Sequence, residues 1–185
     1  MEAPGALKFR EGGSADAAAL SSVLAKANET YADWTPADWD PQIELSAQES
    51  DRLAPVLANP GSWCLIAEDD SQRAVAYVVL RPAVTSGEER ERESIPGLAH
   101  LWHLFVRPAW WGSGVAARLL AEAMAEAERR RYRAARLWTP RDHSRARAFY
   151  RREGWRETGE EHYAADLDLP LVEYRRPLGG DMLAT

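Results

Sequence analysis

The stretch that most limits what this chain can fold into is AHLWHLFVRPAWWGSGVAARLLAEAMAEAERRR, residues 99–131. Ala99 to Val106 is aromatic and aliphatic enough to be a strong strand. Val115, Ala116, Leu119, Leu120, Ala123, Met124 and Ala127 then recur at the spacing of one helical face. Arg118 with Glu122 and Glu126 with Arg130 pair on the opposite side, so the helix is predicted over residues 115–131. A glycine turn running into a helix leaves the first N–H groups without partners, and the helix dipole adds partial positive charge there. Such a turn suits a pyrophosphate. Gly112 and Gly114 permit close approach and unusual backbone angles, and Ala116 keeps the helix start clear.

Gly112 to Ala117 also satisfies G-x-G-x-x-A, the dinucleotide-binding fingerprint. In that fingerprint the strand runs almost directly into the first glycine, whereas here Arg107 to Trp111 intervene. The loop also lies a hundred residues into the chain rather than in a repeated series of parallel strand and helix units. A nicotinamide-dependent oxidoreductase is therefore the remote reading.

The chain has 185 residues, 45% hydrophobic and 28% charged, which predicts one soluble domain over residues 1–177 and a loose tail over 178–185. Cys64 is the only cysteine, which excludes a disulfide framework and predicts a buried, inert thiol. No apolar run reaches the roughly 18 residues that would span a bilayer, and the first residues carry no leader pattern, so a cytoplasmic protein without a membrane partner is expected. The net charge of −6 is unevenly spread: residues 107–156 hold 13 arginines against 5 acids, and the rest 10 basic residues against 24 acids. A basic segment within an acidic protein argues against nucleic acid as a partner and for a local anionic ligand. The four histidines show no paired spacing, so no metal site is expected.

Around this centre the patterning predicts a strand at Leu7–Arg10 and a helix capped by Ser14 and running through DAAALSSVLAKAN. A short helical turn is predicted from Thr35-Pro36-Ala37-Asp38, and a helix over Ser46–Leu57. Trp63–Glu68 and Ala74–Pro82 read as a hairpin, and Thr85–Gly97, charged and bounded by glycine and proline, as a loop. A strand at Ala135–Thr139 precedes a helix at Ser144–Glu153 closed by Gly154. Two strands follow, around Trp155–Tyr163 and Leu171–Arg176.

This order, with the V-x-P-x-W-W-G-x-G-x-A loop and the ending AFYRREGW, resembles the GNAT-type N-acetyltransferases. The close likeness covers about Ala99 to Trp155. The family's loop pattern, Q/R-x-x-G-x-G/A, falls on Trp111, Gly112, Ser113, Gly114, Val115 and Ala116, with Trp111 standing where Gln or Arg is usual. Its second signature, roughly N-x-x-A-x-x-F/Y-Y-x-x-x-G-F/W, falls on His143, Ala146, Phe149, Tyr150, Gly154 and Trp155, with His143 in place of Asn.

The resemblance implies an α/β fold: a mixed sheet of six to seven strands, splayed between the fourth and fifth, with helices on both faces. It implies acetyl-coenzyme A as co-substrate, its pyrophosphate on residues 111–117, Ala117 included, and on His143. Its pantetheine arm and acetyl group would lie along Leu104, Phe105 and Val106. Tyr150 matches the tyrosine that protonates the departing thiolate; thiol and phenol, with reference pKa values of about 8.5 and 10, can exchange a proton once aligned. For the general base, His100 is the first candidate, acting directly or through water, because some relatives carry Glu or His six residues before the strand's end. Alternation sets it on the face of Trp102, Leu104 and Val106, with His103 opposite unless a bulge intervenes. Glu68 is a more distant candidate, and Leu137 and Trp138 cannot serve. Trp34 and Trp39, in an aromatic and acidic stretch with Tyr31, Asp33 and Asp38, are expected to bind the acceptor, a primary amine of a small molecule or peptide. The departures at Trp111 and His143 keep open a coenzyme-binding regulatory domain without turnover, and a homodimer is compatible with the exposed tryptophans.

Overall fold

Two helices and a charged stretch separate the first strand from the strong strand at residue 99, yet all seven strands join one sheet, in the order β1-β2-β3-β4-β5-β7-β6. A computed structural model describes residues 6–39, 49–85, 92–165 and 167–179. The strands are β1 Lys8–Glu11, β2 Trp63–Glu68, β3 Ala74–Val84, β4 Ser94–Val106, β5 Ala134–Pro140, β6 Arg156–Ala164 and β7 Leu169–Pro177. The helices are α1 Ala17–Asn28, α2 Glu49–Ala58, α3 Val115–Arg129 and α4 Ser144–Arg152. All neighbouring strands are antiparallel except β4 and β5. A sheet with a single parallel pair is not a doubly wound dinucleotide-binding sheet, and the oxidoreductase reading falls with it.

Period-two alternation divides the sheet into two packed faces. Ala76, Val78, Leu80, Ala99, Leu101, Ala135 and Leu137 meet Val115, Leu119, Leu120, Ala123, Met124 and Ala127 of α3, with Trp155 and Tyr174. The opposite side chains, Cys64, Ile66, Tyr77 and Val79, meet Leu20 and Val23 of α1 and Leu53 of α2. Cys64 is buried there, and its thiol is pushed up to about 12 by desolvation, which leaves it unreactive.

Several boundaries differ from expectation for identifiable reasons. Ser14 does not cap α1: a short 3-10 turn, Ser14–Asp16, comes first, and the Asp16 carboxylate accepts the Gly13 N–H at 2.9 Å. Thr35-Pro36 forms a tight turn closed by Trp39 N–H to the Pro36 carbonyl at 3.0 Å, and the short helical turn lies earlier, at Tyr31–Asp33. The expected start of α2 at Ser46 lies outside the described residues. α3 stops at Arg129 because Arg131 takes a left-handed φ of 62°. The expected loop at 85–97 is partly strand, since β4 begins at Ser94, where Ser94 pairs with Val84. Charge hid that segment, and residues 86–91 lie outside the description. Leu178 is buried in the α3-side core and its N–H reaches the Arg133 carbonyl at 2.9 Å, so the first residue of the expected tail is anchored. Among the described residues no helix is long and apolar enough to cross a membrane.

Candidate active site

The parallel pairing of β4 with β5 lasts for Leu98–Ala134, Ala99–Ala135 and His100–Arg136 and then ceases, although β4 continues to Val106 and β5 to Pro140. Right-handed twist alone would not separate neighbouring central strands so abruptly. The backbone of residues 101–105 thereby has no strand partner toward β5, and a cavity of about 730 Å3 opens between the strands. Leu104, Phe105 and Val106 line it.

A bulge re-aims the side chains of β4. Val79 pairs with His103 but Leu80 pairs with Leu101, so β4 carries one extra residue between them. Leu101 and Ala99 pack on the α3 side and so do Leu104 and Val106, whereas Trp102 and Phe105 pack toward α1 and α2. His103 lies with them: its Nδ1 is 3.0 Å from the Tyr77 hydroxyl, and its ring stacks on Trp102 at 3.8 Å. His100 and His103 therefore share a face. The expectation that they oppose each other, with His100 beside Leu104 and Val106, is corrected by that single inserted residue.

At the end of β4 the glycine loop closes one end of the cavity. Gly112 and Gly114 adopt φ of 82° and 85°, values that a residue with a Cβ reaches only with strain. Arg118 N–H is bonded to the Gly114 carbonyl at 3.1 Å, the first turn of the helical ladder, so the N–H groups of Val115 to Ala117 precede it and lie at the positive end of α3. Gly112, Gly114, Ala116 and Ala117 line the cavity. Ser113 and Val115 act behind the loop: the Ser113 hydroxyl donates to the Trp110 carbonyl at 2.7 Å, and the Val115 side chain is buried in the core. Trp111 is 36% exposed, its indole N–H donates to the Val106 carbonyl at 3.1 Å, and the Arg145 guanidinium lies 3.6 Å over its ring. The indole thus caps β4 on one edge and carries a cation on its face.

Helix α4 supplies the opposite wall. His143 caps it, Nδ1 accepting from the Ala146 N–H at 3.5 Å, a long version of the bond an N-cap oxygen makes. Its other end is closed by Gly154 at φ 83° and by the Trp155 N–H on the Tyr150 carbonyl at 3.0 Å, with Trp155 buried beneath. Arg147 binds the Tyr174 hydroxyl at 3.2 Å and the Glu157 carboxylate at 2.8 Å, clamping α4 to β6 and β7. Tyr150 is held edge-on to Phe149 and Trp155, with Tyr174 at 6.3 Å, and its ring lines the cavity. Burial and the neighbouring Tyr31 raise the pKa of its phenol, which therefore keeps its proton at neutral pH.

The sequence model of the acetyltransferase (GNAT) family matches residues 24–155, most of the chain. The chain belongs to the acetyltransferase (GNAT) family. Among solved structures it is similar to the PaiA N-acetyltransferase of Thermoplasma acidophilum in complex with coenzyme A, at 17% identity and a TM-score of 0.67, over 93% of this chain and 99% of that one. It is likewise similar to the ribosomal-protein-S18-alanine N-acetyltransferase of Escherichia coli, at 14% identity and a TM-score of 0.67, over 97% and 100% of the two chains. A GNAT-family putative acetyltransferase of Desulfovibrio desulfuricans shares 21% identity at a TM-score of 0.68, over 94% and 100%. No curated protein matches the sequence.

In this acetyltransferase the histidines that look scattered along the sequence all line one cavity: His100, His103, His143 and His162. The described residues hold no cluster that could bind a metal. His100 is 8% exposed, and desolvation, with the Arg81 and Arg136 charges, drives its pKa well below 6.5. That setting opposes a proton-accepting role. His103 is pushed down to about 3 by desolvation and by Arg81. His143 is lowered by burial and by Arg145. Glu68 is committed to Arg10 at 2.8 Å and does not line the cavity.

The aromatic arm after α1 is arranged differently from expectation. Trp34 stacks on His143 at 4.5 Å, and Trp39 donates its indole N–H to the Leu167 carbonyl at 2.8 Å. Both support residues that line the cavity, Tyr31, His143 and Leu167 among them, and neither lines it directly. Sequence reasoning missed Arg145, His162 and Arg81. Arg145 sits two residues after the cap position and could have been found from the first-turn spacing of α4. Arg81 reads in sequence as the polar end of a strand, and only the sheet order brings it to the site.

Proposed function

We propose that this chain transfers the acetyl group of acetyl-coenzyme A directly to a primary amine. The observation that carries the reading is the gap between β4 and β5: its sides are a strand with unpaired backbone and a half-buried tyrosine, and its end is a glycine loop opening α3. The pyrophosphate would rest on the N–H groups of Gly112, Gly114, Ala116 and Ala117, since those of Ser113 and Val115 donate within the loop, with Arg145, steadied on Trp111, as a side-chain cation lining the same cavity. The pantetheine arm would extend the β4 ladder along Leu104 to Val106 and bring the thioester to Tyr150.

The amine nitrogen attacks the thioester carbonyl carbon, the carbon–nitrogen bond forms, and the carbon–sulfur bond of the tetrahedral intermediate breaks. The thiolate takes the Tyr150 proton, and the phenolate recovers one from the nitrogen through water, so the net movement is a proton from nitrogen to sulfur. Unpaired N–H groups of β4 would stabilise the oxyanion. Since burial and the neighbouring Arg81 and Arg136 lower the His100 pKa, the proton that an ammonium must lose first goes to solvent at the open side of the cavity, where exposed His162 stands edge-on to Trp138 at 6.0 Å. The two departures that suggested a binding-only module have structural roles here: Trp111 holds Arg145 and β4, and His143 caps α4. A thiol-release assay over a panel of amines tests the reading. Acetyl-coenzyme A turnover that depends on added amine is expected, and coenzyme binding without turnover by any amine would return the regulatory reading.

A further inference from the structure

Three neighbouring strands each bring a nitrogen-rich side chain to the same row of the sheet. Arg81 of β3 pairs with His100 of β4, which pairs in turn with Arg136 of β5. Alternation sets all three on the face of Tyr77, Val79 and Trp102, away from α3. Each carries a buried nitrogen with no hydrogen-bond partner: Arg81 Nε, His100 Nδ1 and Arg136 Nε. Native proteins rarely leave such atoms unmet, because each costs its full desolvation.

The contacts these side chains do make leave the charge uncompensated. The Arg81 guanidinium lies 4.8 Å over the Trp102 ring, and Arg136 donates to the Val84 carbonyl. The carboxylate of Glu173, which stands opposite Trp138 rather than Arg136, acts on Arg136 through its charge without touching it, since it is held by Arg175 at 2.9 Å and by the Thr158 hydroxyl at 2.9 Å. Arg81 is depressed to about 10 by burial and by the charges of Arg92 and Arg136, which is the signature of cations crowded without an anion. Arg81 and His100 line the same cavity as Tyr150.

We propose that the acceptor amine also carries an oxyanion, a carboxylate or phosphate, which Arg81 and His100, the two members of the row that line the cavity, receive with the Arg136 charge beside them, while the amine points along the splay toward Tyr150. This rests on the acetyl-transfer reading and narrows its substrate class. His100 then serves as a neutral hydrogen-bond donor or acceptor to the acceptor's acid group.

The test compares 4-aminobutyrate, 4-aminobutanamide and 3-aminopropylphosphonate, which share an amine and differ at the far end. Thermal unfolding is followed with coenzyme A saturating, and thiol release with acetyl-coenzyme A. The expected result is that at least one anionic probe raises the unfolding temperature above the amide's effect and is used with a kcat/KM about tenfold to a hundredfold higher, the range of a charge-assisted contact. The stronger anion identifies carboxylate or phosphate as the source. Arg81→Gln and Arg136→Gln should remove the discrimination while leaving coenzyme A stabilisation intact. The wild-type comparison stands even where a variant fails to fold. Equal effects of amide and anions, with coenzyme A still stabilising, overturn this inference alone. No stabilisation by coenzyme A overturns the acetyl-transfer reading and this inference with it.

Discussion

The two ends of the cavity are built on opposite principles. At the loop end the ligand-facing groups are backbone N–H groups, fixed by glycines at positive φ and by the start of α3, and the side chains nearby either pack or tie the loop. At the far end the backbone is laddered, as in Arg81–His100 and His100–Arg136, and the polar atoms left unmet belong to side chains. A backbone site tolerates wide change in sequence provided the chain can turn there, which is how Trp111 can stand where a polar residue is usual. A side-chain site changes specificity with each substitution. On the proposed reading, one cavity can thus keep a fixed coenzyme end and a variable acceptor end.

The sharpest way to break this division is Tyr150→Phe, between the two ends. It should lower kcat by about 10²–10⁴-fold, the usual worth of a positioned acid, with the KM for acetyl-coenzyme A little changed. An unchanged kcat would remove the tyrosine from the chemistry. Next, Gly114→Val forces a branched residue to φ 85° and costs roughly 1–2 kcal/mol in backbone strain alone. Among the described residues, nothing beyond the glycine's own neighbours in the chain lies within 4 Å of the added Cβ, so a larger loss of coenzyme affinity than of stability would locate the obstruction in the ligand. Calorimetry of the variant against coenzyme A measures that difference.

Smaller effects sharpen the comparison. Trp111→Ala removes the platform of Arg145 and should weaken coenzyme binding by about tenfold, a loss of roughly 1 kcal/mol or more for a partly desolvated cation on an indole. Arg145→Ala should match it, and the double variant should be less than additive. The smallest expected effect is on stability against pH. His100 and His103 have folded pKa values below those of the unfolded chain, so their contribution is complete above about pH 6.5. It is lost as pH falls below that, because unfolding takes up protons, by up to about 1.4 kcal/mol per pH unit for each histidine. Unfolding temperatures between pH 7 and pH 5 should drop accordingly, and His103→Gln should flatten the slope.

The loop end was legible in the sequence because backbone chemistry writes itself into composition: glycines, a small residue and an amphipathic run need only their order to be read. The row proposed for the acceptor was not, because its components come from β3, β4 and β5 and meet only through sheet order. Residue 100 was found, but nothing in the local sequence reveals that it is buried and flanked by Arg81 and Arg136, the setting that lowers its pKa. The bulge at Trp102 and His103 was equally hidden, as an inserted residue in an apolar run leaves the pattern apolar. Trp34 and Trp39 were read as contacts because aromatic residues near acids suit a cation, whereas they brace His143 and Leu167.

The central claim, that the gap between β4 and β5 is a coenzyme site, is tested most directly by thermal unfolding with and without acetyl-coenzyme A. At a hundredfold excess over its dissociation constant the ligand should add about 2.7 kcal/mol, or roughly 5–10 °C for a chain of this size, and NADH should add nothing. No shift with millimolar acetyl-coenzyme A, or an equal shift with NADH, would contradict it.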